Sequence, residues 1–135
     1  MKKLDNFTGL ELWRQVIFEI VRHKEDDADL SSRQMAVLLK VYMSDPPHTV
    51  KALAAEMNVS KSVISKALDK LSVLDLVKRQ TDEKDRRVIT LSRTIKGARY
   101  VMKLGDIIAE KAQSLLSPAV PETKKENEPT PENKA

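Results

Sequence analysis

Apolar side chains recur along most of this chain at helical spacing, and β-branched content marks one short pair of strand segments. Leu10, Trp13, Ile17, Ile20 and Val21 predict an amphipathic helix over about residues 10–24. Leu12, Val16 and Phe18 widen its apolar surface, and a helix apolar over most of its circumference is buried on several sides. The acidic run Glu25-Asp26-Asp27-Ala28-Asp29 predicts a solvated loop. Ser31 or Ser32 then caps a second helix, with Met35, Leu38, Leu39 and Tyr42 inward. Asp45-Pro46-Pro47 ends it, because proline cannot continue a helix and restrains the residue before it. Thr49 caps a short helix, Val50 to Met57, whose stripe is Val50, Leu53, Ala54 and Met57. Asn58 tolerates the left-handed backbone of a sharp turn, and Val59 is its apolar plug. Ser60 caps the next helix, which runs to about Leu74 with Ile64, Ala67, Leu68 and Leu71 inward.

Beyond it, Leu76–Gln80 and Arg87–Leu91 are predicted strands around a hydrophilic loop, Thr81–Asp85. From Thr94 a helix runs to about Leu116, with Ile95, Ala98, Val101, Met102, Gly105, Ile108, Ala112, Leu115 and Leu116 as its stripe. Both this helix and the one at 10–24 carry more apolar surface than a compact domain covers alone, which predicts a second subunit. Residues 118–135, PAVPETKKENEPTPENKA, hold four of the six prolines and are expected to be a disordered tail. The expected fold is mainly α with a small β-hairpin wing. It is a winged helix-turn-helix flanked by long N- and C-terminal dimerisation helices, forming one domain over residues 1–117.

Composition narrows the function. Of 135 residues, 41% are hydrophobic but only 4% aromatic, so aliphatic helices build the core. Three glycines leave strands a minor component. The absence of cysteine excludes disulfides, zinc–thiolate sites and thiol redox sensing. MKKLDNFTGLELW lacks the apolar run and cleavage site of a signal peptide, and no stretch approaches a membrane span. A cytoplasmic, nucleoid-associated protein is expected. His23 and His48 lie on different elements, no glycine-rich phosphate loop is present, and no metal-ligand spacing occurs. Neither an enzyme nor a bound cofactor or metal is expected.

Charge is distributed unevenly. The chain carries +4, yet residues 60–103 hold 12 Lys/Arg against five Asp/Glu, a surplus of +7. That surplus coincides with the second helix of the helix-turn-helix, the hairpin and the turn after it, as expected of a footprint for phosphate. Ser62, Ser65 and Lys66 lie nearest the exposed centre of the helix and are the candidates for base edges. Ser60 and Lys61, at its N-terminus, suit phosphate, with Ser60 also a cap, and Lys70 extends the basic face. In the loop, Lys84, Arg86 and Arg87 are candidates for an adjacent minor groove. Asp82 and Asp85 would repel phosphate, so one is expected to pair with a loop arginine. That leaves one of Arg86 and Arg87 structural, and position makes Arg86 the groove probe.

The run Val50–Arg87 resembles the winged helix-turn-helix of the MarR family of bacterial transcription regulators. Leu53-Ala54, Val59-Ser60, Leu71, Leu76-Val77-Lys78-Arg79 and above all Asp82-Glu83-Lys84-Asp85-Arg86-Arg87 carry the resemblance, which extends over roughly residues 10–116. It implies a homodimer on a palindromic operator in double-stranded DNA, with the terminal helices as its interface. It also implies a small aromatic effector in a crevice that Trp13, Phe18, Tyr42 and His23 could line, although Trp13 and Tyr42 at helical spacing more often read simply as core. Two departures stand out. Asp75 occupies a place where such sequences usually have glycine, and relatives commonly add another dimerising helix after the point where order is expected to end here. The competing expectations are a winged helix used for protein–protein contact and a sequence-indifferent architectural DNA binder.

Overall fold

The computed structural model describes residues 5–23 and 29–117. Residues 25–28 of the predicted acidic loop and the expected tail 118–135 lie outside them. Eight elements follow in order: α1 (Asn6–Arg22), α2 (Ser32–Met43), β1 (His48–Thr49), α3 (Val50–Met57), α4 (Lys61–Val73), β2 (Val77–Thr81), β3 (Ile89–Arg93) and α5 (Ile95–Leu116). Contacts divide the chain into two units, one spanning Val21–Gly105 and the other formed by the segments up to Ile20 and from Asp106.

The larger unit is the winged helix-turn-helix. Its core gathers Val37, Leu38 and Val41 of α2, Leu53 and Ala54 of α3, Ile64, Ala67, Leu68 and Leu71 of α4, and Leu76, Val77 and Leu91. The α4 residues are the four that its helical spacing predicts. On α2 the buried face is instead Val37, Leu38 and Val41, while Met35 and Tyr42 are only partly covered. The shift follows from α2 packing against both α4 and β3 rather than one neighbour.

Side-chain caps set the helix boundaries. Ser31 closes a capping box with Gln34 on α2, and Thr49 Oγ1 accepts the Ala52 N–H at 3.0 Å on α3. Ser60 Oγ accepts the Val63 N–H at 3.2 Å on α4. Thr94 Oγ1 accepts the Gly97 N–H at 2.8 Å at the start of α5. Between α3 and α4, Asn58 takes the left-handed conformation (φ 56, ψ 48), and the Val59 N–H reaches back to the Ala54 carbonyl at 3.0 Å. The turn after α4 repeats this with Asp75 at φ 60 and the Leu76 N–H on the Leu71 carbonyl at 2.9 Å.

The sheet is three-stranded and antiparallel in the order β1-β3-β2, with Arg79 opposite Leu91 and His48 opposite Leu91 on the other edge. Periodicity does not predict β1, which has only two residues. The hairpin strands begin and end one to two residues later than the sequence pattern suggests, leaving residues 82–88 as the loop.

In the second unit, α1 starts four residues earlier than expected because Asp5 Oδ1 accepts the Thr8 N–H at 2.8 Å and caps it. Val16 is buried, whereas Phe7, Leu10, Trp13, Ile17 and Phe18 are exposed. Arg14 lies 4.9 Å from the Phe18 ring centre and pairs with Glu11, whose carboxyl the guanidinium and Gln15 hold down to about 2. Lys111 of α5 sits 3.7 Å from Glu19. On α5 the part within the larger unit buries Gly97 and Leu104 and exposes Ile95 and Met102, and the part within the second unit exposes Ile108.

Candidate nucleic-acid interface

A helix whose inner face is saturated with Ile64, Ala67, Leu68 and Leu71 must present its remaining positions outward. On α4 these are Lys61, Ser62 and Lys66, all exposed, and Ser65 and Lys70, partly covered. Lys61, Lys66 and Lys70 make no ion pair with any described residue, so their ammonium groups are available. Ser60 is exposed at the N-terminus with one oxygen lone pair on the Val63 N–H. The N–H groups of the first turn point outward there, and the helix dipole adds partial positive charge.

The loop owes its shape to its own aspartates. Asp82 Oδ1 accepts the N–H groups of Lys84 at 2.7 Å and Asp85 at 3.2 Å, while the Asp82 N–H donates to the Val88 carbonyl at 3.0 Å. Asp85 takes three bonds from Arg87: the backbone N–H at 3.1 Å, Nε at 3.0 Å and Nη2 at 3.2 Å. The Arg87 guanidinium, followed by its N–H, holds the Asp85 carboxyl below the usual carboxylate range. Both carboxylates are thus engaged in building the turn, which accounts for acidic groups in an otherwise basic loop. The side chains of Arg86 and Lys84 are exposed and without a partner among the described residues.

Other polar contacts tie the wing to the helices. Asp69, on the exposed side of α4, pairs with the Arg79 guanidinium of β2. Arg93, at the end of β3, donates from Nε to the Val41 carbonyl at 2.9 Å and from Nη2 to the Ser44 carbonyl at 2.8 Å. It thereby satisfies the C-terminus of α2, with its guanidinium 5.7 Å from the Tyr42 ring centre. His48 is buried, its Nε2 3.2 Å from the same Ser44 carbonyl. Neither Asp69–Arg79 nor the Arg93 contacts follow from the sequence, because each joins side chains across elements with no shared period.

Tyr42 is fastened to the backbone of two neighbouring segments. Its hydroxyl donates to the Leu76 carbonyl at 2.7 Å and accepts the Thr94 N–H at 2.9 Å. A groove of about 610 Å³ lies at the foot of the wing, lined by Ser72, Asp75, Val77, Lys78, Arg79, Arg93 and Thr94. None of Trp13, Phe18, Tyr42 and His23 lines it. Among the described residues no group of histidine and carboxylate side chains is arranged to hold a metal, and no helix is long and apolar enough to cross a membrane.

Residues 28–88 match the MarR family. The fold recurs in solved structures. A MarR transcriptional regulator from Methanosarcina mazei Go1 is 26% identical, with 84% of this chain and 82% of that one covered and a TM-score of 0.59. The transcriptional repressor CouR, bound to a 23-mer DNA duplex, is 20% identical over 82% of this chain and 77% of its own, with a TM-score of 0.62. S. aureus MepR, bound to ethidium bromide, is 20% identical over 82% and 76%, with a TM-score of 0.65. No curated protein matches the sequence.

Proposed function

We propose that this chain, whose residues 28–88 form a MarR-family domain, is a sequence-specific transcription regulator that binds double-stranded DNA. It acts as a homodimer on a palindromic operator, with α4 in the major groove and the 82–88 loop against the minor groove. The observation that carries the reading is the outward row of unpaired cations on α4, joined by an unpaired Arg86 on a loop that two aspartates hold in shape. Ser62, Ser65 and Lys66 address base edges, Ser60, Lys61 and Lys70 address phosphate, and Lys84 lies with Arg86 at the minor groove. The DNA-bound state of CouR, which shares the fold, supports the choice of ligand.

A dimer is supported by the exposed apolar positions of α1 and α5, since contiguous apolar surface in a soluble domain marks an interface. Two-fold symmetry then presents two α4 helices to successive major grooves. A small aromatic effector belongs to the same reading, supported by the ethidium complex of MepR.

Fluorescence anisotropy on a library-selected duplex and its scrambled counterpart, each over a salt series, tests this. The expected result is preference for the selected duplex with affinity falling steeply as salt rises. Equal affinity for both would replace a specific regulator with an architectural DNA binder. Absence of binding to either would favour a protein-docking winged helix.

A further inference from the structure

On a helix, residues three and four apart share a face. Asp69 follows Lys66 by three and Ser65 by four, so it extends the row assigned above to base contact. It is the only acidic residue on α4, and a free carboxylate there would repel the phosphates that the neighbouring lysines attract. The structure shows the carboxylate engaged. The Arg79 guanidinium, from the middle of β2, closes on Asp69, with the aspartate side chain 68% exposed and the arginine 34% exposed. Arg79 is itself held in register opposite Leu91 of β3, so the pair fastens α4 to the strand ladder that carries the loop.

We propose that Asp69 and Arg79 are a positioning pair that sets the spacing of α4 and the wing, and so determines how sharply operator is distinguished from other DNA. The inference rests on the DNA-binding reading and adds a role for two residues that touch each other rather than bases. Two effects of the pair oppose each other in sign. Removing the carboxylate takes one negative charge away from the DNA face, which alone strengthens binding to every duplex. Releasing the tether lets helix and wing move independently, which weakens only the complex that needs both in register. The second effect prevails because the carboxylate is already neutralised by its partner, so little repulsion remains to be removed.

The test uses the full chain with Asp69→Asn, Arg79→Gln and the double variant, each measured on selected and scrambled duplexes. Asparagine keeps the shape of aspartate, glutamine keeps part of the aliphatic stem of arginine without its charge, and thermal melting follows folding in parallel. The expected result is a loss of roughly tenfold in the ratio of selected to scrambled affinity for either single variant, with no further loss in the double variant, the non-additivity of a contacting pair. An unchanged ratio with a lowered melting temperature would overturn the proposal in favour of a purely structural bridge. So would tighter binding of Asp69→Asn to both duplexes alike, or losses that add. A wild-type chain without preference between the duplexes would overturn the DNA-binding reading itself, a result distinct from any of these.

Discussion

Gly97 leaves the space that the Tyr42 hydroxyl fills. A Cβ on Gly97 would stand 1.9 Å from that oxygen and 2.2 Å from the Leu76 carbonyl. Tyr42 in turn bonds both Leu76 and Thr94, so the start of α5, the start of β2 and the end of α2 meet at one phenol. The glycine is required by this close approach and not by its backbone angles, since no glycine here has positive φ.

Gly97→Ala is therefore expected to destabilise the fold by about 1–3 kcal/mol through overpacking against backbone that cannot swing aside. Tyr42→Phe loses the hydroxyl bonds and leaves the Leu76 carbonyl and Thr94 N–H without their partner, at a cost of about 1–3 kcal/mol. Urea denaturation of the two variants checks both. The losses should not add, because the phenylalanine also removes the nearer of the two clashes.

Asp75 holds φ 60, where a side chain is crowded and glycine is not. Its own carbonyl accepts the Thr94 hydroxyl at 2.7 Å, a backbone contact that survives substitution. Asp75→Gly should raise stability by about 0.5 kcal/mol, the relief of left-handed strain outweighing the greater freedom of unfolded glycine. Asn58→Ala, at φ 56, should lower it by about 1 kcal/mol for the same reason reversed. Melting curves of the two variants must move in opposite directions.

The wing should loosen in acid. Asp85 is held below its ordinary value of 3.8 by the Arg87 guanidinium and N–H. A depressed folded value means the contribution is fully present above the ordinary value and is lost as pH falls below it through the depressed one. Carboxyl chemical shifts should place the Asp85 midpoint below that of an unpaired aspartate, and Arg87→Ala should return it upward. Arg86→Ala, which pairs with no described residue, should leave the midpoint in place while weakening DNA binding.

The lysines of α4 should separate from its hydroxyls in a salt series. Lys61→Ala or Lys70→Ala removes one phosphate contact, so the slope of log affinity against log salt should fall by about one with selectivity kept. Ser62→Ala should change selectivity between duplexes and leave the slope intact. A slope that is unmoved by either lysine variant would assign those side chains to solvent.

How much of this was legible in the sequence depends on whether a feature has a period. The α4 core residues, the caps Thr49 and Ser60 and the turn at Asn58 follow from spacing and residue chemistry. The pairing of a loop aspartate with a loop arginine follows from charge alone. Strand limits do not, because β2 buries only Val77 and offers no alternation to read. The α2 face rotates because two neighbours compete for it, and β1 is too short to carry a pattern. Asp69 with Arg79, and Arg93 with Val41 and Ser44, are joined only by the fold.

The exposed stripe of α1 supplies the last test. Phe7, Leu10, Trp13, Ile17 and Val21 recur three or four apart and are 79%, 65%, 57%, 37% and 66% exposed. Placing so much apolar side chain in water costs about 25 cal/mol per Å², so an association that covers the stripe is favoured over a monomer. Sedimentation at micromolar concentration should show a dimer. Leu10→Asp, which places a charge in the stripe and leaves the buried Val16 untouched, should give a folded monomer with weaker operator binding. Trp13 is the sole tryptophan, so dilution of the wild type through its dissociation range should shift the emission to the red as the ring meets water. If Trp13 lies outside the interface, sedimentation will report dissociation while the emission stays fixed. A wild type that sediments as a monomer at every concentration would remove the two-fold operator from the functional reading.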